Sequence, residues 1–221
     1  MKNFEGSPSV VFLDGTYKLN LENYCLYAAV VQDRTGRGRP VALSFLSSET
    51  VENITQLFDA FKMCHKSWED IGVVFVDKDQ KVIKAIKSSF KASKVLLCTW
   101  HVLAYLRKHM ARTFGAAKAQ AYLHFYDCLV ARTEHDFDES WTKLIDSVPN
   151  KTTQSYLEEN WHKCREMWAM YARRQLRLFG ANTNNFVDAF LRVVKAAVHI
   201  VRRRRPHLNA SILSWTTRVS L

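Results

Sequence analysis

The sequence predicts an α/β fold: a mixed five-stranded sheet in the order β-β-β-α-β-α-β, carrying an all-helical insertion before its last helix. Three observations predict it. Short β-branched, apolar runs punctuate the first hundred residues and end in turn residues or carboxylates. Between the later runs the apolar period changes from two to about 3.6, as amphipathic helices require. Beyond Trp100 no strand pattern recurs, and the remaining apolar residues fall at helical spacing.

The elements follow in order. Ser9–Asp14 (SVVFLD) is a strand stopped by Gly15, and Tyr24–Asp33 is a second strand. Arg34–Pro40 has the glycine content of a hairpin turn, and Pro40–Ser47 is the third strand. Links this short join antiparallel neighbours, because parallel ones need a crossover of about a dozen residues. Val51, Ile54, Leu57, Phe58 and Phe61 make 50–64 an amphipathic helix. Ile71–Asp77 is apolar almost throughout, as a strand buried on both faces is. Val82, Ile83, Ile86 and Phe90 mark a helix over 80–90, and Lys94–Cys98 is the fifth strand. Helices are expected at 101–114, 116–131, 136–147 and 152–178, with a last one entered through Gly180–Asn185. The domain reading is therefore a core over 1–114, an insertion over 115–180, a closing helix over 181–200 and a basic tail over 201–221.

At 221 residues with 48% hydrophobic and 24% charged side chains, the chain buries a substantial core and is neither low-complexity nor disordered. It has no apolar run long enough to span a membrane and no secretion-signal core at its start, which points to an intracellular protein. Five scattered cysteines without a C-x-x-C pair point to reduced thiols. The formal charge of +11 is uneven: 1–100 carry 13 basic and 11 acidic residues, 101–221 carry 19 and 10. A cationic second half attracts polyanions, of which nucleic acid is the commonest, and a merely soluble basic protein fits the charge equally well.

Asp14 and Asp77 each close a predicted strand, where open α/β sheets place their sites. If those strands are neighbours, the two carboxylates converge into a site for Mg²⁺ or Mn²⁺, the chemistry of two-metal phosphodiester cleavage. An aspartate after a strand is also an ordinary turn residue.

Four blocks, LDGTYK (13–18), FVDKD (75–79), LLCTWH (96–101) and TNNFVDAF (183–190), resemble in this order the catalytic domain of Mutator-like element transposases. The second and third blocks are most similar to the transposase-derived SWIM zinc-finger proteins. The resemblance covers about residues 9–195. It implies an RNase H-like fold with two aspartates and a glutamate as metal-binding catalytic acids. By position these fall on Asp14, Asp77 and Asp188. Asp188 departs from the family's glutamate by one methylene, in a site that tolerates about 0.5 Å of misplacement. Asn185 and Asp188 also read as a helix capping box. The family often has an acid near Glu49, which otherwise caps or flanks the helix at 50–64, while Asp79 caps the helix at 80–90. Cys98 and His101 match the family's C-x-x-H, but two ligands do not close a tetrahedral zinc site, and a structural role is expected.

Arg107, Lys108 and Arg112, with Arg173, Arg174 and Arg177, are the candidate DNA phosphate contacts. Trp141, Trp161 and Trp168 are expected in the core of the insertion. Arg202–Arg205 reads as a nuclear import signal, a phosphate contact or a cationic helix end. Only eight residues precede the first strand and no cysteine follows Cys164, so the chain reads as an isolated catalytic-type domain, a fragment or a decayed copy. Two functions follow: a non-catalytic module binding DNA or protein partners, and an active metal-dependent transposase or nuclease.

Overall fold

The strand β1 (Val10–Thr16) has a different kind of neighbour on each edge in the computed structural model, antiparallel β2 (Cys25–Gln32) and parallel β4 (Val73–Val76). The structure describes residues 9–20, 22–33, 35–113, 117–148 and 150–204, leaving aside the side chains at 111–113 and 199–204. With β3 (Gly38–Leu46) and β5 (Lys94–Leu97) the sheet order is β3-β2-β1-β4-β5. The expected meander and the β1–β4 neighbourhood are both present. The β2–β3 link is held by Asp33, whose carboxylate accepts from the Thr35 and Arg37 amides, the Thr35 hydroxyl and Arg39 Nε. Gly36 supplies the left-handed conformation that this turn requires, at φ 79°.

The described residues fall into two compact units. One holds the residues up to Val95 together with those from Asn184 onward, and the other is Leu96–Thr183. The first 114 residues are therefore not all core: the helix α3 (Thr99–Thr113) belongs to the second unit.

In the first unit the sheet is covered on both faces. Phe12 stacks on Phe75 at 5.3 Å and meets Phe186 of the helix α7 (Asn185–Arg204) at 5.1 Å. Strand side chains alternate, so Asp14 and Asp77, two residues beyond Phe12 and Phe75, share the α7 face. The other face presents Val11, Leu13, Tyr27, Ala29 and Val74 to Phe58, Phe61 and Phe90, which come from α1 (Val51–Cys64) and from the end of α2 (Gln80–Ser89). Thr50 caps α1, accepting from the Asn53 amide, and Asp79 caps α2, accepting from the Lys81 and Val82 amides. The cap of α1 is thus Thr50 and not Glu49.

Gly15 does not end β1, which continues through it to Thr16. Its lack of a side chain has a packing cause. A Cβ there would lie 2.9 Å from Cys25 Sγ and 3.1 Å from the Tyr27 ring, on the strand alongside.

The second unit packs α3, α4 (Lys118–Val130), α5 (Glu134–Asp146) and α6 (Lys151–Asn160) around aromatic rings. Phe125 stacks on Trp168 at 4.6 Å, and Trp161 and Phe137 approach the same indole. Trp141, Trp161 and Trp168 are buried, as expected of core residues. The helix expected over 152–178 is broken. It ends at Asn160 and is followed by two 3-10 segments, His162–Met167 and Met170–Arg173. Trp168 Nε1 donates to the Trp161 carbonyl at 2.9 Å. Burying both indoles with that bond satisfied needs a tighter, irregular chain path.

Phe12 is fully buried between two aromatic rings, so Phe12→Ala is expected to cost about 3–5 kcal/mol of stability in urea unfolding.

Candidate functional site

Asp14 and Asp77 line one pocket of about 180 Å³ at the rim of the sheet in the first unit. Two further acids line it, Glu49 and Asp79, together with Tyr27 and Gly15. Each acid is placed by a separate element. Asp14 lies near the end of β1, where its Oδ1 accepts from the Gly15 amide at 2.8 Å. Asp77 follows β4. Asp79 is positioned by capping α2, and Glu49 sits before α1 with its Oε1 accepting from the Tyr27 hydroxyl at 2.6 Å.

The pocket is electrostatically negative, and its neighbours register it. Burial pushes the Cys25 thiol up to about 12, with the charge of Asp14 acting in the same direction. The Tyr27 phenol lies well above its ordinary range through burial, then through Cys25, Asp79 and Asp14. Burial also raises the Glu49 carboxyl; Lys81 opposes that rise and Asp79 reinforces it.

The third acid is placed differently. The fully buried Asn184 precedes α7, and its Nδ2 donates to Asp77 Oδ1 at 3.2 Å. Its carbonyl accepts from the Asp188 amide at 3.0 Å, closing the first turn. Asp188 therefore lies one turn along from Asn184 on the same helix side, half-buried. It is not among the residues that line the pocket. The helix begins at Asn185, which is therefore its first helical residue and not its cap. What the sequence reading missed is the part that Glu49 and Tyr27 have in the pocket. For Glu49 the signals were an acid just before a helix start, which a cap explains equally well, and the acid that the resembled family often has there.

In the second unit Cys98 is fully buried between β5 and α3, and His101 lies in the first turn of α3 with its ring edge-on to Trp100 at 4.7 Å. Among the expected phosphate contacts, Lys108, Arg174 and Arg177 are exposed. Arg107 is exposed too, donating to the Tyr122 hydroxyl at 3.1 Å. Arg112 falls within α3, and its side chain is outside the described residues, as are those of Arg202–Arg205. Arg173 contradicts the expectation. It is 3% exposed and donates to the carbonyls of Leu97 at 2.6 Å, Met167 at 2.9 Å and Asn182 at 3.4 Å. Burial lowers its pKa to about 10. A guanidinium with five N–H donors satisfies several of these carbonyls at once. Its task is structural, so it leaves the set of DNA contacts.

Residues 1–96 match the family model of the RNaseH-like domain of zinc finger SWIM domain-containing proteins 1 and 3. The matched segment contains the whole meander, both crossover helices and both pocket aspartates. The mixed five-stranded sheet with its helices is an RNase H-like α/β fold.

Two measurements check this geometry. Arg173→Met is expected to destabilise by about 1–3 kcal/mol, because buried carbonyls lose their donors, whereas Arg177→Met stays within about 0.5 kcal/mol. The second concerns pH. The folded-state pKa of Glu49 is raised, so its ionisation favours the unfolded chain: the protonated form's advantage is complete below the unfolded value of about 4.3 and is lost as pH rises. Glu49→Gln is therefore expected to raise the melting temperature at pH 7 and to leave it unchanged near pH 4.

Proposed function

We propose that the chain is a transposase-derived RNase H-like module that binds DNA without cutting it. What supports this reading is that the third triad position holds Asp188, one methylene shorter than the glutamate of the resembled family and not among the residues lining the pocket of Asp14 and Asp77. Asn184, just before α7, directs a carboxamide N–H at Asp77, and that N–H is a donor and no metal ligand. An in-line phosphodiester displacement needs carboxylates that hold metal on both the attacking and the leaving side. The matched RNase H-like segment supports the transposase ancestry. The exposed Lys108, Arg174 and Arg177 support phosphate contact, and a nuclear location fits such a module.

The donor chemistry of the pocket fits a hard divalent cation, because its ligating atoms are carboxylate oxygens. Asp14 and Asp77 would hold Mg²⁺ or Mn²⁺, which supplies Lewis acidity toward a phosphate oxygen when bound. This supports a second reading, an active nuclease or transposase, and one observation favours it: Glu49 lines the same pocket and offers a third carboxylate. In that case Asp14, Asp77 and Glu49 would hold the metal, with Glu49 fixed by the Tyr27 hydroxyl.

A plasmid-nicking assay with Mg²⁺ or Mn²⁺ separates the two. The binding module leaves supercoiled DNA intact; nicking that disappears in Asp14→Asn establishes the enzyme instead. Duplex affinity is expected to fall steeply with salt, and Lys108→Ala and Arg177→Ala each to reduce the log–log slope by about one. A flat salt dependence would remove DNA from the reading.

A further inference from the structure

The helix α4 has apolar residues on two opposite faces. Ala121, Phe125, Cys128 and Leu129 are buried in the second unit. On the far side Ala119, Leu123, Tyr126 and Val130 face solvent, the last three at 57%, 44% and 40% exposure. A surface helix ordinarily turns a polar face outward, and apolar residues all round mark a helix covered on both sides. The exposed residues are spaced by four, three and four, the a/d seam along which one helix receives another.

Charge narrows the occupant. Arg107 lies over the Tyr122 ring at 5.5 Å, immediately beside Leu123. Lys118 is exposed at the start of the seam. Just past its end stands exposed Arg132, whose carbonyl accepts from exposed Arg174 at 3.2 Å. Among the described residues of the exposed face of α4 the one acid is Asp127, which has His124 at 3.9 Å as a neighbour. A second copy of this chain would set these cations against themselves, and like charges repel. DNA would use the cations and find nothing to contact in Leu123 and Val130.

We infer that the α4 seam is a docking site for an acidic amphipathic helix of a partner protein, with apolar anchors in the seam and carboxylates beside Arg107, Arg132 and Arg174. The inference is independent of whether the sheet-rim pocket is catalytic.

The test uses the full chain and a fluorescent synthetic helix of about three heptads, with Leu at a and d and Glu at the flanking positions. Its twin carries Lys in place of Glu. The Glu peptide is expected to bind at least about tenfold more tightly than its twin and to weaken about tenfold in Leu123→Glu/Tyr126→Glu. Both substituted residues are exposed, so the melting temperature should hold. If that variant does not fold, Arg132→Glu/Arg174→Glu serves, and it should shift preference toward the Lys peptide. The inference is overturned if the Glu peptide fails to bind, if both peptides bind equally, or if folded seam variants keep wild-type affinity. It is overturned equally if sedimentation shows a dimer that Leu123→Glu dissolves, or if the uncharged variant Leu123→Ser weakens duplex DNA binding.

Discussion

The stack of Phe12 on Phe75, closed from above by Phe186, is the contact on which the site depends. It joins two parallel strands side by side and seats the closing helix on their common face. Because strand side chains alternate, fixing these two rings also fixes the direction of the residues two places further on. Asp14 and Asp77 reach one pocket although 63 positions separate them in sequence. Gly15 and the rings behind it complete this arrangement. The Cys25 thiol and Tyr27 ring occupy the space a side chain would need, and Tyr27 in turn reaches Glu49.

Burial is the main cause of the raised thiol, phenol and carboxyl pKa values around this rim, and the charges of Asp14 and Asp79 add to it. The structure offsets part of that charge locally. Asp14 accepts a backbone amide, Asp79 accepts two at the start of α2, and Asp77 accepts the Asn184 carboxamide. Such an arrangement stabilises anions through hydrogen bonds and holds carboxylate oxygens toward one cavity. Holding a cation and driving phosphoryl chemistry are separate demands, and the position of Asp188 bears on the second.

Among the cationic residues, sequence composition and tertiary placement part company. Arg173 and Arg174 are neighbours of the same type, yet one satisfies three backbone carbonyls in the interior and the other is exposed. The difference arises because a 3-10 segment ending at Arg173 turns that side chain inward, toward carbonyls left by irregular backbone around two indoles. The same aromatic core decides that α4 is buried along Phe125 and Leu129 and exposed along Leu123 and Val130.

By itself the sequence determined the strands and crossover helices of the first ninety-eight residues and the antiparallel meander, because local periodicity and link length dictate them; that Asp14 and Asp77 converge required the first and fourth strands to be neighbours, which the tertiary structure decided. It also placed Trp141, Trp161 and Trp168 inside, since rings of that size cannot all remain in water. Only the tertiary structure decided that Glu49 and Tyr27 join the pocket, that Arg173 is interior, that the helix over 152–178 breaks, and that α3 belongs to the second unit. These depend on which groups distant in sequence meet, and no period in a one-dimensional pattern records such meetings: a carboxylate before a helix, or an arginine near the end of one, has the same local signature whether it faces solvent, a pocket or the interior.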